Sequence, residues 1–283
     1  MEIAVFLIQC KDQRGIVAKI SDFVFRYNGN IIQSDQHTTD PENGQFFMRV
    51  EFGFDPQIVS RKHLEDEFGI LARTLHAQWQ IHYTRERLRM GILVSNHDHC
   101  LLDLLYQCNS GELSIDIPFV ISNHDTVRET AEHYRIPFYC LAVTPDTKIE
   151  QENKIFTLVN ESTDFLVLAR YMQVLSESFI NRYNRPIINI HHSFLPSFKG
   201  ANPYRQAYER GVKVIGATAH YITANLDEGP IIEQAVERVS HRDNVDALIR
   251  KGKKLEQIAL ANAIRAHTEF RVLRYLNKTI VFA

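Results

Sequence analysis

The sequence predicts a small ferredoxin-like α+β unit over residues 1–84, followed by a doubly wound, mostly parallel α/β unit over residues 85–283. Three observations carry that reading. Apolar residues recur first in the order strand, helix, strand, strand, helix, strand, which is the split β-α-β arrangement. A charged stretch, Thr84-Arg85-Glu86-Arg87-Leu88-Arg89, then marks a linker. Beyond it, short apolar runs alternate with amphipathic helical segments, as they do when helices cover both faces of a parallel sheet. A chain of 283 residues also suits two domains of roughly 150 residues each.

The elements follow in order. Glu2–Ile8 is a strand-like apolar run, closed by the polar turn Lys11-Asp12-Gln13-Arg14-Gly15. Ile16, Val17, Ile20, Phe23, Val24 and Tyr27 recur at helical spacing, and Asn28-Gly29-Asn30 stops that helix. Asn30–Thr38 and Phe46–Phe54 are strands around the turn Asp40-Pro41-Glu42-Asn43-Gly44. Ser60 caps a second helix to about Phe68, and Ala77–Tyr83 is the fourth strand. In the second unit, strands are predicted at Arg89–Val94, Ile115–Ile121, Phe138–Leu141, Asp164–Leu168 and Pro186–Ile190. Helices are predicted at Cys100–Ser110, Thr126–Tyr134, Lys148–Val159 and Gln173–Tyr183. Ile215–Tyr221 and Ile231–Val239 form an added strand pair, and Asn244–Phe270 is a long charged helix before a short tail.

Composition narrows the function. Lys and Arg total 32 against 34 Asp and Glu, a net charge of −2, so no global basic field marks a nucleic-acid binder. The four cysteines, Cys10, Cys100, Cys108 and Cys140, have neither disulfide-dense nor Cys-x-x-Cys spacing, which suits reduced thiols in the cytoplasm. Glu2 and the lack of a basic leading segment argue against a secretory signal. No apolar run nears the roughly 18 residues that span a bilayer. The expectation is a cytoplasmic protein with neither nucleic-acid nor membrane partners.

Chemistry concentrates between Pro186 and Gly229. Asn189 and His191 lie two apart near the end of a strand, so their side chains share a face. His220 ends another apolar strand, and Asp227 follows in a loop closed by Gly229-Pro230. An amide, an imidazole and a carboxylate can perform general acid–base chemistry without a covalent nucleophile. The amide donates to an oxygen that becomes negative, the imidazole moves a proton near neutral pH, and the carboxylate steadies the imidazole or an attacking water. His97-x-His99 invites a metal reading, but no third ligand stands at suitable spacing, so no metal is expected. His191-His192 is no better, because adjacent strand residues face opposite ways.

The pattern Asn189-x-His191-x-Ser193-x-Leu195-Pro196-x-Phe198-x-Gly200, with His220 and Asp227-x-Gly229, resembles the folate-dependent formyltransferase superfamily over about Arg89 to Val239. The resemblance implies a Rossmann-like formyltransferase domain, with Asn189, His191 and Asp227 as the catalytic trio and His220 beside them. It also implies a pterin pocket lined by the 220–227 loop, with Ile222, Asn225 and Leu226. A second folate-binding stretch would run from Asp164 to Leu175, through Leu168, Met172, Val174 and Leu175. Related enzymes that formylate a phosphorylated amine hold its phosphate in a Gly/Ser-rich turn after the first strand. Here that place reads Asn96-His97-Asp98-His99-Cys100, without glycine and with an acid, which points to water as acceptor.

The first unit agrees with that choice. Asp12-x-x-Gly15-Ile16-Val17 resembles the opening of an ACT domain, a module that binds small amino acids or mediates oligomerisation. An ACT-like domain ahead of a formyltransferase-like domain resembles the formyltetrahydrofolate deformylases over the whole chain. The resemblance implies hydrolysis of 10-formyltetrahydrofolate to tetrahydrofolate and formate, feeding formate to purine synthesis and balancing the one-carbon folate pool. It implies the folate as substrate with no further cofactor, glycine or methionine as effector at Asp12, Gly15 and Ile16, and a homo-oligomer, dimer or tetramer. Two positions depart from the pattern: Arg205 stands where deformylases carry His, and Gln173 where transferases often carry Arg. The rival readings are formyl transfer to an unphosphorylated amine and a non-catalytic folate or amino-acid sensor.

Overall fold

The computed structural model describes residues 1–40, 42–196 and 203–283. The chain divides into two compact units: residues 1–86 with 269–275 and 279–283, and residues 87–268 with 276–278.

The first unit comprises β1 (Glu2–Lys11), α1 (Ile16–Arg26), β2 (Asn30–Thr38), β3 (Gln45–Phe54), α2 (Arg61–Leu75) and β4 (Gln78–Tyr83). Its antiparallel sheet has the order β2-β3-β1-β4, the ferredoxin-like arrangement. Helix α1 presents Ile16, Ile20, Phe23 and Val24 to the sheet, and α2 presents Leu64, Phe68, Ala72 and Leu75. Ser60 caps α2 by accepting the His63 amide. Phe6 on β1 is the hub of this core, stacked on Phe68 at 3.9 Å and close to Phe52 at 5.0 Å. Helix α2 runs to Leu75 rather than stopping near Phe68, because Gly69 lies beside Trp79, off the 64-68-72-75 stripe, and does not break it. Pro41 of the expected turn lies outside the described residues.

The second unit begins with β5 (Met90–Val94), α3 (His99–Ser110), β6 (Val120–Ser122), α4 (Arg128–His133), β7 (Phe138–Cys140), α5 (Lys148–Val159) and β8 (Phe165–Leu168). It continues with α6 (Glu177–Tyr183), β9 (Ile187–His191), α7 (Pro203–Glu209), β10 (Val214–Tyr221), β11 (Ile231–Arg238) and α8 (Val245–Thr268). Among the described residues these form a 7-stranded sheet in the order β11-β10-β9-β8-β5-β6-β7. The strands from β9 to β7 are parallel, while β10 and β11 run antiparallel at the edge. The sheet is therefore mostly parallel, as expected. β5 and β8 are buried along their whole length, which explains their unbroken apolar runs.

In the second unit two starts shift by several residues from the sequence reading. Strand β6 begins at Val120; Ile115 and Phe119 are buried from the loop before it, so their apolar character does not report strand pairing. Helix α6 begins at Glu177, capped by Ser176, whose hydroxyl accepts the Phe179 amide. Gln173–Leu175 is instead loop, with a bend at Gln173.

The tail forms a hairpin, β12 (Val272–Tyr275) and β13 (Lys278–Val281), that the sequence reading missed. Leu273 and Phe282 pack on Val5, Leu7 and Phe47, the sheet residues that face away from α1 and α2. That second layer explains why β1 is buried on both faces rather than alternating.

Candidate active site

The site is assembled where β9 ends beside β10. Alternate residues on β9 place Asn189 and His191 on one face. In the antiparallel ladder His220 stands opposite Asn189, and Thr218 opposite His191. The buried Thr218 fixes the turn after β9, since its hydroxyl donates to the Ser193 carbonyl at 2.9 Å and accepts the Leu195 amide at 3.1 Å. Gln234 on β11 donates to both the Thr218 hydroxyl and the Leu195 carbonyl. The Ser193-x-Leu195 part of the motif is thus a strap on β10; Phe198 and Gly200 lie outside the described residues.

Asp227 arrives from the loop between β10 and β11. That loop folds hard against β10: a Cβ at Gly229 would sit 1.7 Å from the Tyr221 carbonyl oxygen, so only glycine fits. The Tyr221 amide donates to the Pro230 carbonyl at 2.9 Å and closes the loop. Asp227 itself has φ +55°, a left-handed conformation that Asp tolerates better than most residues.

These constraints bring the four residues together. His191 Nδ1 lies 3.3 Å from Asp227 Oδ2, while His191 Nε2 is buried without a hydrogen-bond partner among the described residues. His220 Nδ1 lies 3.0 Å from the Tyr221 carbonyl oxygen. A carbonyl can only accept, so Nδ1 carries the proton and Nε2 presents a lone pair. Asn189 Nδ2, 3.2 Å from that lone pair, is the donor, and the amide orientation follows.

Electrostatics separate the roles. The hydrogen bond from His191 holds the Asp227 carboxyl below its ordinary value, against the opposing effect of burial. Burial pushes His220 down and keeps its ring neutral. His192, stacked 5.1 Å from His191, is lowered to about 4 by burial and by the charge of Arg170.

The polar ends open into a cleft of about 320 Å³. Leu168, Met172, Val174 and Leu175 line it, as do Ile222, Asn225 and Leu226. Met172, Val174 and Leu226 are more than half exposed and gather on this one cleft, as apolar side chains do at ligand grooves. Every residue singled out for catalysis or folate contact from the sequence borders this cleft. Gln173 borders it too, whereas Arg205 is exposed on α7 and pairs with Glu209. Asp12, Gly15 and Ile16 line a groove of the first unit instead.

Comparison with known proteins accords with this geometry. Residues 88–264 match a family model described as formyl transferase. A formyltetrahydrofolate deformylase of Synechocystis is 52% identical over 281 residues, covering 99% of this chain and 98% of that protein. One from Bacillus subtilis is 47% identical, covering 98% of this chain and 92% of its own. The crystal structure of a formyltetrahydrofolate deformylase from Pseudomonas syringae pv. tomato matches with a TM-score of 0.93 at 44% identity, over 100% of this chain and 95% of that one. This chain belongs to the formyltetrahydrofolate deformylase family.

In this family member a second polar cluster, which the sequence reading did not assemble, reaches the cleft through Arg170. Glu256 of α8 is almost wholly buried; it accepts from His99 Nε2 at 2.8 Å and from the Tyr204 hydroxyl at 2.7 Å. Arg170 Nε stands 3.4 Å from the same carboxylate. Gly252 leaves the space for Tyr204, since a Cβ there would meet its hydroxyl at 2.0 Å. Glu256 lies far along the chain, so the spacing around His97 and His99 could not reveal it. His99, Cys100 and Glu256 bring potential metal-ligand atoms within 4.8 Å of one another. Both carboxylate oxygens there already accept hydrogen bonds, and burial holds the Cys100 thiol protonated.

Proposed function

We propose that this chain hydrolyses 10-formyltetrahydrofolate to tetrahydrofolate and formate. The observation that carries the reading is the convergence of Asn189, His191 and Asp227 on one cleft, with His191 Nε2 buried and unpartnered. The full-length likeness to the deformylases supports it. The folate is the substrate, and no resident cofactor or metal takes part.

The formyl group is an amide-type acyl on N10, so water attack gives a tetrahedral intermediate with an oxyanion. Asn189 has one N–H on His220 and a second for that oxygen; His191 Nε2 is the other group in reach of it. Water adds its oxygen to the formyl carbon and releases one proton to the Asp227–His191 pair. Collapse breaks the C–N10 bond, and N10 takes that proton through His191. Formate leaves, and its acidic proton goes to solvent. Asp227, held ionised, stabilises the imidazolium between the two steps.

The test is an acceptor-free assay that follows tetrahydrofolate and formate together. Stoichiometric formate, lost in Asp227→Asn, supports hydrolysis at this site. Folate binding without formate would overturn it in favour of transfer to an amine.

For the first unit we infer an ACT-like role: binding of glycine or methionine and assembly of a homo-oligomer. Asp12, Gly15 and Ile16 line its groove at the start of α1, whose first amides no side chain caps. Such amides suit an amino-acid carboxylate, and Asp12 suits its ammonium. β2 is an edge strand with most residues exposed, which suits pairing with a second copy. Four free thiols suit the cytoplasm, and no described helix is long and apolar enough to cross a membrane. Calorimetry without amino-acid binding, together with unchanged rates, would defeat the effector role.

A further inference from the structure

We propose that Arg170 decides the acceptor: anchored by Glu256, its side chain occupies the crevice in which an amine would approach the formyl group and leaves room for water alone. This rests on the hydrolytic reading above and concerns which nucleophile that same site admits.

In doubly wound sheets, ligands enter the crevice beyond the carboxyl ends of the strands, where the strand order reverses. Here that point lies between β5 and β8, because β5 has β6 on one side and β8 on the other. Arg170 lies two residues beyond the end of β8, and His99 begins the helix that follows β5. The crevice is stitched shut at the backbone. The Ser95 amide donates to the Arg170 carbonyl at 3.2 Å, and the Met172 amide donates to the Ser95 hydroxyl at 3.0 Å. That hydroxyl in turn donates to Asn123 Oδ1 at 2.6 Å.

Arg170 is held there in an unfavourable way. Its backbone has φ +65°, a conformation that glycine adopts freely and arginine does not. Its side chain is 10% exposed, and Nε and Nη1 are buried without hydrogen-bond partners among the described residues. Strain and unsatisfied buried donors on one residue destabilise the fold, and such features cluster at functional sites. The position shows what they accomplish. Arg170 borders the same cleft as Asn189, His191 and Asp227. Glu256, fixed by His99 and Tyr204, keeps the guanidinium in place. The side chain excludes a bulky acceptor by volume and repels the ammonium form of an amine by charge, while neutral water passes.

Arg170→Gly removes the side chain and relieves the backbone, so the variant is expected to fold. Arg170→Gly/Glu256→Gln also removes the carboxylate left without its cation, and serves if the single variant does not fold. Each protein is given 10-formyltetrahydrofolate with increasing glycinamide or hydroxylamine, against enzyme-free blanks. Formate and the formylated amine are both measured. Their ratio does not depend on how much enzyme is active, so a merely structural role would not move it. With the natural residue, formate accounts for the tetrahydrofolate formed at every amine concentration. In the variant, the ratio of formylated amine to formate is expected to rise by roughly tenfold or more. An unchanged ratio in an active variant overturns the proposal. Formate production by the unsubstituted protein without amine tests the hydrolytic reading separately.

Discussion

Asn189 and His220 face each other across the β9–β10 ladder, and the amide donates to an imidazole whose own proton is committed to the Tyr221 carbonyl. His220 therefore acts as an acceptor that aims Asn189, a role different from that of His191. Asn189→Ala is expected to lower kcat by about 100- to 1,000-fold, the usual effect of removing an oxyanion donor. His220→Ala should lower it by roughly 10- to 100-fold, as for other outer partners, with little change in KM. The double variant should lose less than the product of the two. Multiplicative losses would show that the residues act independently.

Asp227→Asn keeps the shape and removes the charge, so a loss of kcat larger than that of Asn189→Ala is expected with folate binding retained. The same carboxyl predicts a pH effect on stability. Its pKa is lowered in the folded state, so the contribution is fully present above the ordinary value of 3.8 and is lost as pH falls below it. Denaturant unfolding of Asp227→Asn should accordingly show a shallower fall in that acid range than the unsubstituted protein.

Two histidines predict a different acid window. His82, stacked on Phe270 at 3.9 Å, and His192 are both lowered to about 4 by burial. Below the ordinary value of 6.5 the unfolded chain takes up protons that these rings refuse, so stability falls from about pH 6.5 to about pH 4. His82→Gln and His192→Gln should each flatten that slope. Unaltered pH profiles would mean that neither ring resists protonation.

Gly229→Ala places a methyl group into the Tyr221 carbonyl, which is backbone and cannot step aside cheaply. A loss of about 1–3 kcal/mol of stability is expected, as for other overpacked sites. Because the same loop carries Asp227, activity should fall further than the unfolded fraction explains. Circular dichroism and kcat measured together at low temperature separate the two effects.

The sequence made much of this legible, and the failures have physical causes. Asn189, His191, His220 and Asp227 are close in the chain and lie on strand ends, where a period of two predicts the face. The cleft walls were legible because Leu168–Leu175 and Ile222–Leu226 flank those strands. Val174 and Leu175 read from the sequence as the first turn of a helix, because one is exposed at the cleft rim and the other buried, as on the two sides of an amphipathic helix. Arg170 and Glu256 escaped notice because nothing local marks them: one follows an apolar strand, and the other sits within a charged helix whose solvent face it does not share. The final hairpin turns at Leu276-Asn277, without the Asn-Gly signature of tight turns, and its apolar residues find their partners in β1 and β3.

That hairpin also sets a schedule for the molecule's manufacture. Val5, Leu7 and Phe47 leave the ribosome early, yet the residues that cover them, Leu273 and Phe282, come only after residues 87–268 of the second unit have been synthesised. That side of the first unit can therefore close only at the end of synthesis, which makes its apolar layer the last part of the unit to be completed.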